Sequence, residues 1–171
     1  MTSAAGRIAT IVGADTAITQ ALFAASAAAW RAAGAKVVGV VSEAHDLPDR
    51  TCTAGFLRDI ASERRYPIYR ESAPSGTSCH LDAAGVEAAC AAVRESIGAS
   101  DAVILSKFGK LEAQQRGLAD AFAAAIGAGK PLLTTVSEKH RDAWQAMAPD
   151  AVVLPADPAA IEDWWRAVRA G

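Results

Sequence analysis

The chain has 171 residues, of which 51% are hydrophobic and 21% charged, a length that fits one domain, 1–171, with a sizeable core. Its formal net charge of −2 excludes an electrostatic case for nucleic acid or an anionic membrane as partner. Three cysteines with no pairing pattern argue for a reducing, cytoplasmic setting rather than a disulfide scaffold.

Met1–Gly6 lacks the basic and apolar regions of a secretory signal. Arg7–Val12 (RIATIV) then reads as a buried strand. Ala17–Ala33 follows as a helix that stops at Gly34, a residue suited to a C-terminal cap. The apolar run Ala21–Ala33 is broken by Ser26 and Arg31 and is too short to span a bilayer. Lys36–Ser42 (KVVGVVS) is a second strand, rich in β-branched residues.

Residues 43–80 differ in character, with Pro48, Pro67 and Pro74 between short apolar pieces at Gly55–Ile60 and Tyr66–Tyr69. They predict a small β insertion, a hairpin or two short strands, with 71–78 as a flexible turn. From Asp82 to Ile97, Val86, Ala89, Cys90, Val93 and Ile97 recur at helical spacing. The remaining signals are a strand at Asp101–Leu105, a helix at Glu112–Ala128 and a strand at Pro131–Val136. A helix around Glu138–Met147, a short strand at Ala151–Leu154 and a last helix at Pro158–Ala170 complete the chain.

Strands alternating with long helices imply parallel pairing through right-handed crossovers. The expected fold is therefore α/β, a three-layer sandwich with a mainly parallel sheet. In such folds ligands sit at the carboxyl ends of the strands. Arg7–Val12 and Asp101–Leu105 are expected to be neighbours, so that the loops after them emerge side by side.

The first of those loops, VGADTAITQALF at 12–23, has the frame of the phosphate-binding pattern G-x-x-x-x-G-K-[ST]. With Gly13 as the first glycine, Ile18, Thr19 and Gln20 stand where Gly, Lys and Ser/Thr are required. The frame lacks the lysine that neutralises phosphate and the hydroxyl that holds Mg²⁺. What remains is a helix N-terminus with a partial positive charge, near Gly13, Asp15, Thr16 and Thr19. The alternative is an ordinary turn in which Asp15 or Thr16 caps the helix.

The second loop carries Lys107, Lys110 and Glu112 in the box KFGKLE at 107–112. Either these residues meet an anion, or the lysines are solvated and Glu112 pairs with Arg116 at i,i+4. Cys52, Cys79 and His80, with His45, offer thiolate and imidazole to a soft metal. They lack a C-x-x-C and the four ligands of a structural zinc, and small buried cysteines are the plainer reading. Trp164 and Trp165 are adjacent, so only one is expected to pack into the core with Ile161 and Val168.

KFGKLE at 107–112, SCHLD at 78–82, TCTAGFLRDIAS at 51–62 and DWW at 163–165 together carry a resemblance over most of the chain. The sequence resembles a family of bacterial proteins of unknown function, distantly similar to the thermophile-type P-loop nucleoside-triphosphatases. The resemblance implies a P-loop NTPase-like fold. In the active triphosphatases the strand matching Asp101–Leu105 ends in Asp-Glu, for Mg²⁺ and the attacking water, and continues as Gly-Lys-x-Glu. Here Ser106 and Lys107 replace the acidic pair, while Gly109, Lys110 and Glu112 match the continuation.

Phosphoryl transfer is largely positioning and charge stabilisation by a lysine, a metal and a placed water. With those groups replaced, the resemblance implies a degenerate, non-hydrolytic protein with no catalytic residues and no defined cofactor. Its ligand is expected to be a nucleotide, phosphate or another tetrahedral oxyanion. The family's association with molybdate-uptake genes suggests molybdate. The rival readings are a triphosphatase with rebuilt catalytic residues and an interaction protein, including a homo-oligomer, that uses 43–80 and the tryptophan helix.

Overall fold

The computed structural model describes residues 6–44, 54–68 and 82–170. Strand β1 (Ile8–Val12) turns through Gly13 into helix α1 (Thr16–Ala32). The Asp15 carboxylate accepts from the Ile18 N–H at 2.9 Å and so satisfies one free donor of the first helical turn. Gly34, at φ +96°, then ends the helix. Strand β2 (Val37–Ala44) continues into the antiparallel β3 (Ala54–Asp59) and β4 (Arg65–Pro67), the small β insertion read from the sequence.

Helix α2 (Ala83–Ile97), capped by Asp82, leads to β5 (Ala102–Ile104). Then come α3 (Lys110–Ala113), α4 (Ala119–Gly127) and β6 (Leu132–Thr135). A 3-10 turn at Glu138–His140 precedes α5 (Arg141–Met147), followed by β7 (Val152–Pro155) and α6 (Pro158–Ala170).

The sheet runs β4-β3-β2-β5-β6-β1-β7, with β2, β5, β6, β1 and β7 parallel. One face is covered by α2, α4 and α5, with Val93, Phe122 and Trp144 in its core. The other is covered by α1 and α6, with Phe23, Trp30, Trp164 and Trp165. This is the α/β three-layer arrangement of P-loop NTPase-like proteins. Gly39 (φ +129°) has no room for a side chain, because a Cβ there would overlap the Ile104 carbonyl of β5.

Three expectations are corrected. β1 and β5 are not neighbours, because β6 pairs with both and lies between them. The single helix expected at Glu112–Ala128 is two, broken at 114–118. Gln115 and Gly117 there take φ +61°, which a helix does not accommodate. Both adjacent tryptophans are buried: Trp165 stacks on Trp30 at 4.3 Å, and Trp164 donates its indole N–H to the Gly6 carbonyl.

Among the described residues no helix is long and apolar enough to cross a membrane.

Candidate functional site

The carboxyl ends of β1, β5 and β6 open onto one edge of the sheet, as parallel pairing requires. After β1, Gly13 takes φ +87° and is exposed, turning the chain back toward α1. Asp15 and Thr19 are committed to that helix start. Besides the Asp15 cap, the Thr19 hydroxyl, on a residue 3% exposed, donates to the Asp15 carbonyl at 2.9 Å. Thr16, by contrast, is exposed at the first helical position.

Gln20 was legible in the sequence only as a missing hydroxyl, and the structure gives it a definite job. Only 7% exposed, its carboxamide donates from Nε2 to the Ser106 carbonyl at 2.9 Å and accepts at Oε1 from the Ser42 N–H at 2.8 Å. One side chain thus ties α1 to the ends of both β5 and β2. It also carries α1 past the intervening β6 to the loop that holds Lys107. No single-sequence signal announces such a bridge, since its partners are backbone groups 22 and 86 residues away.

The loop after β5 is held from both sides. Phe108 takes the Thr135 carbonyl through its N–H at 2.8 Å, and the Ser137 N–H returns to the Phe108 carbonyl at 3.0 Å. This pairing extends the β5–β6 register beyond the strands. The Phe108 ring is buried edge-on against Phe122. With Ser106 and Phe108 both inward, extended-chain alternation turns Lys107 outward, and it is exposed, as is Lys110.

Glu112 is 8% exposed, and its carboxylate accepts from the Gly109 N–H and the Leu118 N–H, each at 2.9 Å. Burial pushes its pKa up. The hydrogen bonds from Leu118 and Gly109, and then the charge of Lys107, pull it partly back. It staples the loop from inside, with both oxygens engaged. The Glu112–Arg116 helix pair is not formed, because the helix has ended. Arg116 instead meets Glu87 of α2 at 3.1 Å.

Of the residues singled out in the sequence, Gly13, Thr16, Lys107 and Lys110 present exposed surface at this edge, and Asp15 is exposed while capping α1. Thr19 and Glu112 are inside the scaffold. Cys52, Cys79, His80 and His45 lie outside the described residues. Among the described ones no group of three or more His, Cys, Asp or Glu is placed to hold a metal. Cys90 is buried on α2, as its helical spacing predicts.

A family model described as a protein of unknown function (DUF2478) matches residues 8–164. The molybdenum import ATP-binding protein ModC 2 of Bradyrhizobium diazoefficiens is 36% identical over 138 residues. That match covers 78% of this chain and 15% of the relative, so the chain spans a small part of that protein's length. No solved structure matches the chain.

Proposed function

The chain belongs to the DUF2478 family, and from that premise we propose that it is a P-loop-derived domain that has lost hydrolysis and holds a phosphate-bearing ligand or tetrahedral oxyanion. The ligand lies at the sheet edge formed by Gly13–Thr16 and Lys107. The observation that carries this reading is the 2.9 Å bond from Gln20 to Ser106. These are the positions where the resemblance puts the hydroxyl and the carboxylate that hold Mg²⁺. Here the Gln20 side chain is spent on the Ser106 backbone carbonyl and the Ser42 N–H, and position 106 carries no carboxylate, which supports a site without Mg²⁺.

Without the metal, charge for an anion comes from the exposed Lys107 and Lys110, aided by the partial positive charge at the start of α1. Asp15 already caps one donor there, so the lysines supply the net attraction. The loop after β5 lies two strand spacings from that after β1, about 10 Å, and the Gln20 bridge supports the view that both serve one site. The relative's name, a molybdenum import ATP-binding protein, favours an accessory role in molybdenum uptake. This chain lacks a phosphate-loop lysine, so in that reading ATP binding belongs to the much longer remainder of such a protein.

A thermal-shift screen with phosphate, sulfate, molybdate, tungstate, and ATP with and without Mg²⁺ tests this, since a ligand that binds only the native state raises the melting temperature. We expect an anion-dependent rise that Mg²⁺ does not alter. A flat response to every anion would refute the reading.

A further inference from the structure

Helix α1 carries no charged side chain between Asp15 and Arg31. Its inner side packs Phe23, Ala27 and Trp30 into the core, yet its outer side is apolar as well. Ile18, Ala21, Ala25, Ala28 and Ala32 are all exposed among the described residues, Ile18 by 53%. A helix at a water-facing surface ordinarily turns charged residues outward, and one that is apolar all round is ordinarily covered. The neighbouring α6 obeys that rule, with Asp163, Arg166 and Arg169 exposed.

The outer residues of α1 follow one another at steps of 3, 4, 3 and 4, the heptad spacing of a seam between two helices lying along each other. Four of the five are alanine, which lets a second helix approach closely. Beside the seam a cavity of about 380 Å³ opens between α1 and β2–β3, walled by Ala17, Ala21, Ala24 and Val41. It leaves room for side chains from a partner.

We infer that this face is covered by α1 of a second copy, packed antiparallel about a two-fold axis at Ala25. The seam is complementary to itself in that arrangement, as a two-fold interface must be. Ile18 of each copy falls on Ala32 of the other, large against small, and Ala25 meets Ala25. The end bearing Asp15 lies beside the end bearing Arg31, and the helix dipoles oppose, whereas parallel packing would set like ends together. A footprint about 25 Å along α1 and about 20 Å across the helix and its flanking strands covers roughly 500 Å² per copy. That reaches the roughly 1,000 Å² total of a specific interface.

Sedimentation velocity over a concentration series tests this with the wild type, Ala25→Glu, Ala25→Lys and Val153→Glu. Ala25 is exposed in mid-helix, where glutamate and lysine are good helix formers, and circular dichroism melting verifies that each variant folds. Val153, 65% exposed on β7, is the apolar surface control. We expect the wild type to dimerise with a dissociation constant of about 1–100 μM. Ala25→Glu and Ala25→Lys each set like charges together at the axis and should weaken the dimer at least about hundredfold. Mixed in equal amounts, the two should pair to within about tenfold of the wild-type affinity, while Val153→Glu stays within about twofold.

A wild type still monomeric at about 1 mM would overturn the assignment and leave the face to a different partner. A dimer that survives Ala25→Glu, one that Val153→Glu abolishes, or glutamate and lysine variants that fail to pair would overturn it equally.

Discussion

Truncating Gln20 to alanine removes a buried carboxamide and strands two backbone groups, the Ser42 N–H and the Ser106 carbonyl. Each unsatisfied buried group costs about 1–3 kcal/mol. Gln20→Ala should therefore lower the unfolding free energy by about 2–4 kcal/mol, read from urea titration. A loss below about 0.5 kcal/mol, the level of an ordinary surface change, would mean the bridge is dispensable. Lys107→Ala should behave in the opposite way. The side chain is exposed, so stability stays constant while anion affinity falls about tenfold, the effect of one charge-assisted contact in a partly dry crevice. Calorimetry with the best screening anion separates the two effects. Glu112 adds a pH signature. Its pKa is raised in the fold, chiefly by burial, so the folded state holds its proton more tightly than the unfolded chain does. Its contribution is fully present below the ordinary glutamate value and is lost as pH rises through the raised one. The stability difference between wild type and Glu112→Gln should thus move against the wild type as pH rises above the ordinary glutamate value of about 4.3. A difference that grows in favour of the wild type over that range contradicts the assignment.

The segment from α3 to α4 shows how an element boundary is set by one side chain. Glu112 reaches back to the Gly109 N–H and forward to the Leu118 N–H, which requires the intervening chain to leave the helix and fold over the carboxylate. Gly117 makes that possible: at φ +61°, a Cβ would overlap the Glu112 carboxylate and press on Leu111. Gly117→Ala meets both a backbone penalty and a clash, and should destabilise the protein by about 2–4 kcal/mol. The same change at the exposed Gly129, also at positive φ but with open space around it, carries only the backbone penalty, about 1 kcal/mol. Matched urea titrations of the two variants check the difference, and equal losses would show that the clash relaxes away. The β2–β3–β4 meander is positioned by ordinary means. Its antiparallel pairing starts on the extension of β2 beyond the parallel sheet, which brings Arg58 beside α1.

On the scale of the whole molecule, the order β5-β6-β1 puts one strand between the two loops that resemble nucleotide-binding elements. Gln20 closes that distance through the α1 side of the sheet rather than along the sheet edge. In the proposed reading the site works without Mg²⁺, so two outcomes are expected of the protein as a whole. Steady-state ATP or GTP turnover with Mg²⁺ should fall far below the roughly 1 per second at the low end of typical enzymes. Addition of EDTA should leave anion affinity unchanged within about twofold, because that reading gives the site no counter-ion. Sustained turnover that disappears in a Gln20 or Ser106 variant, or affinity that collapses on chelation, would restore the hydrolase reading.

The α/β class and most elements were legible in the sequence because alternation of apolar strands and amphipathic helices is local information. RIATIV and the spacing of Val86, Ala89, Cys90, Val93 and Ile97 declare their elements without reference to the rest of the chain. The missing phosphate-loop lysine and hydroxyl were equally readable, since a motif is defined by identity at fixed spacing. The phosphate-loop frame and the KFGKLE box pointed to Gly13, Asp15, Thr16, Thr19, Lys107, Lys110 and Glu112 as a group, but that Thr19 and Glu112 are buried while the others are exposed was not readable from them. The structure decided what depends on distant partners. Strand order is one such property, because any parallel strand can pair on either side, and only tertiary packing placed β6 between β1 and β5. The break at 114–118 is another, because it arises from a buried carboxylate seeking two backbone donors. Gln20 is the clearest case. Its residue type reads as a loss of metal chemistry, but its role as a clamp exists only where Ser42 and Ser106 converge on it in space.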